Sequence, residues 1–159
     1  MITGWRLAWT DHLMVAFQPR GAQARWNSHG TIMAYSSEHP ALAAWEVANH
    51  WEEYGSLRGY FLYSADIPED EIETRDFDRA IFADVQQTQK IGDDWIQGQS
   101  SIALKVPSVV APHSWNYLLN VNHPRFFKNV DLHEHGPFQF DDRIERLVKR
   151  ATKPDDPPT

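Results

Sequence analysis

Residues 25–47 (RWNSHGTIMAYSSEHPALAAWEV) indicate the fold most clearly, because a strand pattern in them passes directly into a helix pattern. Residues 31–37 (TIMAYSS) predict a strand, since apolar side chains fall on both faces and neither Pro nor Gly interrupts them. Pro40 suits the first turn of a helix, where its missing N–H leaves no hydrogen bond unmade. Ser37 is the expected N-cap. We therefore expect a strand followed at once by a helix over residues 39–54.

The expected helix has a broad apolar face and a narrow polar one, at about 100° of rotation per residue. The apolar face carries Ala41, Leu42, Ala44, Trp45, Val47, Ala48 and Trp51. The polar face carries Glu46, Asn49, His50 and Glu53. This pattern predicts that Trp45 packs on the rest of the protein and that Glu46 lies on the side away from it.

The flanking sequence adds a mixture of strands and helices. Strands are predicted over residues 60–66, 101–106 and 129–133, with a further extended run over residues 108–110. Helices are predicted over residues 85–97 and over residues 141–150, the latter with Ile144, Leu147 and Val148 facing inward. The acidic residues 69–84 predict a surface loop with some helix. Because strands and helices do not alternate strictly, the expected class is α+β rather than a doubly wound sheet.

Length and composition favour one folded domain and exclude several classes of protein. The 159 residues suit a single domain over residues 1–150, and the Pro- and Asp-rich residues 151–159 predict a disordered tail. A net charge of -7 argues against nucleic-acid binding. The absence of Cys excludes disulfides, thiolate zinc sites and Cys nucleophiles. No signal peptide and no spanning apolar run is found, so we expect a cytoplasmic protein without membrane contact.

Three residues of different chemistry follow one another on consecutive elements. Arg25 lies in a loop, Tyr35 on the predicted strand and Glu46 on the predicted helix, at spacings of ten and eleven residues. Taken alone, they are more typical of a surface charge, a half-buried strand residue and a polar helix face than of a functional site. Ser108 follows a strand that Pro107 ends, and without a Gly-x-Ser-x-Gly motif a turn serine is the simpler interpretation.

Two further groups of polar residues are candidates for function, one rich in Asn and one formed by two His. The segment 115–124 (WNYLLNVNHP) places three Asn among apolar neighbours, where buried amides need hydrogen-bond partners; Asn120 is the candidate taken from it. His133 and His135 alternate on a predicted strand and could face one metal ion, but no carboxylate at regular spacing supports them. Surface histidines are therefore favoured, and no metal site is predicted.

Taken in order, these stretches resemble the RES-domain family, named for an Arg, a Glu and a Ser. The resemblance rests on WRL at residues 5–7, on residues 25–47, on residues 91–124 (IGDDWIQGQSSIALKVPSVVAPHSWNYLLNVNHP) and on DDRI at residues 141–144. It implies a fold similar to ADP-ribosyltransferases. It also implies the toxin of a bacterial toxin–antitoxin pair that depletes NAD by phosphorolysis or hydrolysis of the nicotinamide–ribose bond. One branch of the family instead ADP-ribosylates a metabolic enzyme, which is the alternative.

The resemblance also implies roles for residues of this chain. Arg25 is expected to bind the pyrophosphate of NAD, and Tyr35 to stack on the nicotinamide. Glu46 is expected to stabilise the ribosyl cation, to hydrogen-bond the ribose hydroxyls or to orient the acceptor. Ser108 is expected to hydrogen-bond the nicotinamide-ribose end, and Asn120 and Arg6 are further candidates for substrate contacts. No prosthetic group or metal is expected, with NAD as substrate and inorganic phosphate as a candidate co-substrate.

The implied partner is an Xre-like antitoxin that blocks the active site, and a homodimer within that complex is left open. Two other classes remain as alternatives. One is a non-catalytic binding module that keeps the scaffold, against which the joint presence of Arg25, Tyr35, Glu46 and Ser108 argues. The other is a metal-dependent hydrolase built on His133 and His135.

Overall fold

A computed structural model describes residues 1–50 and 55–151. The strands are β1 (Ile2–Ala8), β2 (Ala34–Ser37), β3 (Tyr60–Ile67), β4 (Ile72–Thr74), β5 (Ala103–Pro107), β6 (Trp115–Leu119) and β7 (Asp131–Phe138). The α-helices are α1 (Leu13–Ala16), α2 (Pro40–Asn49), α3 (Val85–Gly98), α4 (Phe126–Asn129) and α5 (Asp142–Ala151). Short 3₁₀ helices span Glu69–Glu71 and Arg79–Ala83.

The strands form one seven-stranded sheet in the order β4-β5-β6-β2-β1-β3-β7. Only β4 and β5 run parallel among these neighbours, and every other pair is antiparallel. A single mixed sheet flanked by helices confirms the predicted α+β class. The short strand β2 lies in the middle of the sheet, with β6 on one side and β1 on the other.

The two faces of the sheet carry different cores, because successive side chains of a strand point to opposite faces. One face is covered by α1 and α4, and its buried members include Phe17, Ala34, Tyr63 and Phe126. The opposite face has two clusters. The first joins Trp26, Leu104 and Leu118 to Trp95 of α3, and the second joins Leu7 and Tyr60 to Ala43 of α2. The candidate site lies on this second face, between α2 and α3.

Helix α2 is where the pattern-based expectation was partly wrong. It begins at Pro40 with His39 as N-cap, whose Nδ1 accepts the amide N–H of Ala41 at 3.2 Å, so Ser37 is not the cap. Ser37 ends β2 instead. The helix ends at Asn49, and residues 51–54 of the predicted helix lie outside the described residues.

The inward face of α2 also differs from the expected one. Trp45 is 60% exposed, whereas Leu42, Ala43 and Ala48 are buried. Glu46, expected on the outer polar face, is half-buried and points toward the sheet. The helix is thus rotated relative to its apolar pattern, and the hydrogen bonds described below compensate for bringing the carboxylate inward.

Other elements confirm or correct the sequence analysis in detail. The predicted strand 60–66 and helices 85–97 and 141–150 are present within a residue or two. Strand β2 is shorter than residues 31–37, β7 is longer than 129–133, and residues 108–110 form a loop rather than a strand. Strands β1, β4 and β6 were not predicted. On α5, Leu147 is 61% exposed and so does not face inward as expected, while Ala151 belongs to the helix. Residues 152–159 of the predicted tail lie outside the described residues.

Candidate active site

Glu46 is the centre of a hydrogen-bond network that joins α2 to strands β2 and β6 and to the loop after β5. Its Oε1 accepts a hydrogen bond from Asn116 Nδ2 at 2.6 Å and another from Ser108 Oγ at 2.9 Å. The Oδ1 of Asn116 in turn accepts a hydrogen bond from Ser37 Oγ at 2.7 Å. Strand register explains the convergence, because Asn116 pairs with Ser37 on one side and with Val106, two residues before Ser108, on the other.

The two oxygens of Glu46 have different environments. Asn116 and Ser108 both donate to Oε1, and within the described residues Oε2 forms no hydrogen bond and is not fully buried. Ser108 is completely buried, and its Oγ also accepts the amide N–H of Ala111 at 3.2 Å. One oxygen is therefore anchored by the fold, while the other accepts no hydrogen bond from the residues that the structure describes.

The loop that carries Arg25 is held from two directions. Helix α3 contacts it through Thr88 Oγ1, which donates to the carbonyl of Arg25 at 2.6 Å, and through Gln89 Nε2, which donates to the carbonyl of Ala24 at 2.8 Å. Asp93 of the same helix accepts hydrogen bonds from the backbone N–H and the hydroxyl of Ser28. These side chains act on backbone groups and leave the guanidinium of Arg25 free to point elsewhere.

Asn27 and Tyr35 complete the support of this loop from the sheet side. The amide Nδ2 of buried Asn27 donates to the carbonyls of Ala22, Ser28 and Thr31. The hydroxyl of Tyr35 donates to Asn27 Oδ1 at 2.8 Å and accepts the amide N–H of Trp26 at 3.1 Å. Tyr35 thus links β2 to the Arg25 loop.

Burial controls the ionisation of two of these groups. Desolvation raises the pKa of Tyr35 far above its usual range, so its hydroxyl stays protonated and can keep donating to Asn27. For Asp93, desolvation opposes ionisation, but the hydrogen bonds donated by Ser28 outweigh it and lower the pKa. At neutral pH, Tyr35 is protonated and Asp93 is ionised, and these are the forms that make the loop-supporting hydrogen bonds.

The Arg25 side and the Glu46 side are connected through Phe82 and Arg79. The guanidinium carbon of Arg25 lies 5.6 Å from the centroid of the Phe82 ring, and its Nη1 donates to the Phe82 carbonyl at 3.2 Å. The guanidinium carbon of Arg79 lies 5.2 Å from the same centroid, and its Nη1 donates to the carbonyl of Ser108 at 2.9 Å. A continuous series of contacts thus joins Arg25 to the carboxylate of Glu46.

Of the two remaining candidates, Arg6 contacts the backbone of Tyr35, whereas Asn120 lies apart from the network. Asn120 follows the far end of β6, four residues and therefore roughly 13 Å along the strand direction from Asn116. It is buried, and its Nδ2 has no hydrogen-bond partner among the described residues. Arg6 donates to the carbonyls of Ala16 and Tyr35, at 2.7 and 2.8 Å. Substrate contacts by Asn120 and Arg6 stay predictions.

The sequence analysis missed three residues of the network: Ser37, Arg79 and Asn116. Asn116 carried a usable signal, because it lies in the same Asn-rich segment from which only Asn120 was chosen. Ser37 was interpreted as a helix cap, and Arg79 lies in a segment whose acidic composition suggested only a surface loop.

The histidines on β7 lie apart from this site. His133 Nε2 is 3.0 Å from Asp66 Oδ2, and His135 Nε2 is 2.8 Å from Ser64 Oγ. Among residues 1–50 and 55–151, no group of three or more His, Asp or Glu is arranged to hold a metal ion. In the same residues, no helix combines the length and apolarity needed to cross a membrane.

Comparison with known proteins identifies relatives of the whole chain. The family model described as "RES domain" matches residues 3–141. The chain is 30% identical over 153 residues to "Toxin Res" of Photorhabdus laumondii, an alignment that covers 91% of this chain and 98% of that protein. It is 27% identical over 133 residues to the "Prs ADP-ribosylating toxin" of a Sphingobium species, covering 76% of this chain and 83% of that protein.

A solved structure shares the fold. A chain from the crystal structure of the M. tuberculosis MbcT–MbcA toxin–antitoxin complex is similar with a TM-score of 0.64 and 14% sequence identity. The similarity covers 93% of this chain and 89% of that chain.

Proposed function

Because the chain belongs to the RES domain family, we propose that it is the toxin of a toxin–antitoxin pair and that it depletes NAD by cleaving the nicotinamide–ribose bond. In this reaction the bond between the ribose C1 and the nicotinamide nitrogen breaks, and nicotinamide leaves as a neutral molecule with the electron pair. The ribosyl group then carries positive charge until an oxygen of phosphate or water forms a bond to C1. With phosphate, the product is ADP-ribose-1''-phosphate.

The observation that carries this proposal is the half-anchored carboxylate of Glu46. Asn116 and Ser108 hold Oε1, so Oε2 is placed in a fixed position, and no donor within the described part of the chain binds it. A preorganised negative charge of this kind stabilises a cation that develops beside it, because no reorganisation is needed as the bond breaks. Nicotinamide is already a good leaving group, so the site needs no general acid to protonate it.

The other residues of the network fit the binding of a dinucleotide. Arg25 stacks on Phe82 and keeps N–H groups for the pyrophosphate, which guanidinium recognises in a bidentate manner. The ring of Tyr35 would offer a flat surface to nicotinamide, while its hydroxyl holds the Arg25 loop. Ser108 would act by positioning Glu46 at the nicotinamide-ribose end, since its hydroxyl donates to that carboxylate.

Protein ADP-ribosylation is the second candidate. It is favoured by the relative named as an ADP-ribosylating toxin, which is similar over three quarters of this chain. The cleavage step is the same in both reactions, and the acceptor of the ribosyl group distinguishes them. A protein acceptor would make NAD loss proportional to the amount of target protein.

An antitoxin is the partner that this function requires. A similar fold occurs in a solved toxin–antitoxin complex, and an Xre-like antitoxin with basic surface for DNA would complement a toxin of net charge -7. We propose that the antitoxin covers the opening between α2 and α3, where it would prevent NAD from reaching Glu46. The toxin would act in the cytoplasm, where NAD is present, and a homodimer within the complex is compatible with this arrangement.

The test incubates the purified protein with NAD, with and without inorganic phosphate, and separates the products by mass. Glu46→Gln retains an oxygen that can accept from Asn116 and Ser108 but removes the charge, so we expect NAD turnover to fall at least about 100-fold without loss of fold. Glu134→Gln, at an exposed carboxylate on β7, is the matched control.

Each outcome of this assay has one meaning. ADP-ribose-1''-phosphate formed only with phosphate would establish phosphorolysis, and ADP-ribose formed in both buffers would establish hydrolysis. NAD left intact by the folded wild-type protein would contradict NAD depletion and favour a protein acceptor. Equal turnover by wild type and Glu46→Gln would remove Glu46 from the mechanism.

A further inference from the structure

Two arginines from separate segments lie against the ring of Phe82. Arg25 comes from the loop before β2, and Arg79 begins the 3₁₀ helix that also contains Phe82. Their guanidinium carbons lie 5.6 and 5.2 Å from the ring centroid. Two positive charges therefore share one small region of a protein that is negatively charged as a whole.

In residues 1–50 and 55–151, no carboxylate forms an ion pair with either guanidinium. Among the described residues, Arg25 donates to the backbone carbonyl of Phe82, and Arg79 donates to the backbone carbonyls of Ser108 and Val109. Other arginines differ, since Arg125 forms a bidentate pair with Glu71 and Arg75 contacts Glu73. A guanidinium has five N–H donors, so both arginines at Phe82 keep unused donors.

The support beneath the two arginines is rigid. Phe82 packs edge-on against buried Trp26, with ring centroids 6.2 Å apart. Asp78 caps the 3₁₀ helix, since its Oδ1 accepts the amide N–H of Ala80 at 2.9 Å. The hydrogen bond to Ser108 holds Arg79 on the side of Glu46, because the hydroxyl of the same serine donates to that carboxylate.

We propose that Arg79 is a phosphate-binding residue, and that Arg25 and Arg79 form a paired-guanidinium site for phosphate groups with Phe82 as their common platform. The proposal rests on the proposed function, which supplies two sources of this chemistry. One is the pyrophosphate of NAD, and the other is the inorganic phosphate that attacks the ribosyl group. Phosphate oxygens would balance the repulsion between the two like charges and use the donors that the protein leaves free.

The first experiment measures binding without turnover. Inorganic pyrophosphate and orthophosphate are titrated separately into wild type, Arg79→Gln and Arg79→Lys, with calorimetry at low salt. Lys128→Gln removes one positive charge from exposed α4 on the opposite face of the sheet and serves as the control. We expect Arg79→Gln to weaken binding of at least one anion about tenfold or more, Arg79→Lys to weaken it less, and Lys128→Gln to leave it unchanged.

The second experiment identifies the source of the phosphate. In phosphorolysis assays, a raised KM for NAD in Arg79→Gln assigns the residue to the pyrophosphate, and a raised KM for phosphate assigns it to the acceptor. Equal anion affinities of wild type and Arg79→Gln, or no anion binding by the wild type, would overturn the proposal. Anion binding that depends on Arg79 in a protein without NAD turnover would contradict the proposed function and leave the phosphate site standing.

Discussion

Glu46 and Arg25 belong to the same site, but the fold holds them in different ways. At Glu46, the protein contacts the functional group itself, through hydrogen bonds from Asn116 and Ser108 to one carboxylate oxygen. At Arg25, most contacts are made to the backbone of the loop, and the guanidinium only stacks on Phe82 and bonds to one carbonyl. The carboxylate is thus positioned directly, whereas the cation is positioned through its loop.

Because Glu46 is positioned directly and Arg25 through its loop, substitutions at the two places should change different properties. A change beside Glu46 moves a charge relative to the reacting bond and should lower kcat. A change in the supports of the Arg25 loop shifts a binding group and weakens the packing of α3 against the sheet. It should therefore raise the KM for NAD and lower the free energy of unfolding together.

The largest effect is expected from Asn116→Leu, which keeps the side-chain volume but removes the donor to Glu46. A misplacement of a reacting group by about 1 Å can cost about 100-fold in rate, so kcat for NAD should fall by about that factor with little change in KM. Steady-state kinetics measure the split, with Asn49→Leu on the exposed end of α2 as control. A rise in KM with unchanged kcat would show that Asn116 does not act through Glu46.

Gly92→Ala should disturb the packing of α3 against the loop that carries Arg25. Gly92 lies in α3 directly against the backbone carbonyl of Trp26, and a Cβ there would collide with it, so helix and loop must separate. We expect about 1–3 kcal/mol of lost stability and a raised KM for NAD. Gly98→Ala is the matched control, because a Cβ at the end of the same helix has no atom within 4 Å. Wild-type stability of Gly92→Ala in urea denaturation would contradict the close contact.

Tyr35→Phe separates the two roles of that side chain. It keeps the ring for nicotinamide but leaves the amide N–H of Trp26 and the Oδ1 of Asn27 without their partner. An unsatisfied buried polar group costs about 1–3 kcal/mol, and we expect the lower part of this range because the loop keeps its bonds to α3. Thermal denaturation measures the loss. If stability stays unchanged while kcat collapses, the hydroxyl acts on the substrate rather than on the loop.

The smallest effect is expected from acid on Asp93. Its pKa is lowered in the folded protein, so the ionised form contributes stability above the unfolded value of about 4. That contribution is lost as the pH falls through the lower folded pKa. The stability difference between wild type and Asp93→Asn should therefore be constant near neutral pH and shrink below about pH 4. Urea denaturation at several pH values tests this, and a difference that does not change with pH would assign Asp93 a role independent of its charge.

Local patterns predicted much of the fold. The strand at residue 60 and the helix at residue 85 follow from local apolar patterns, and both are confirmed. Strands β1 and β6 were missed because neither alternates clearly: β1 buries only Gly4 and Leu7, and β6 buries the three successive residues 117–119. Strand β4 has only three residues, too few for any period to be recognised.

The candidate site was predictable only in part. Arg25, Tyr35, Glu46 and Ser108 were chosen from the resemblance, and the structure joins them in one network with Ser37, Arg79 and Asn116. Asn116 is the partner of Glu46 because β6 pairs with β2 and β5 in one register. That register links residues 70 positions apart, which no local window of sequence reports.

The α+β class and the strand–helix unit around residues 34–49 could be predicted from the sequence alone, because both depend on local patterns. Membership of the family could also be predicted, because it depends on residue types in order. The face of α2 that turns inward, by contrast, depends on tertiary contacts. Apolar periodicity favoured Trp45 over Glu46, since it counts hydrophobic area and nothing else. Donors on β6 and after β5 reversed that choice, because a carboxylate can lie at a half-buried position when other parts of the chain supply its hydrogen bonds.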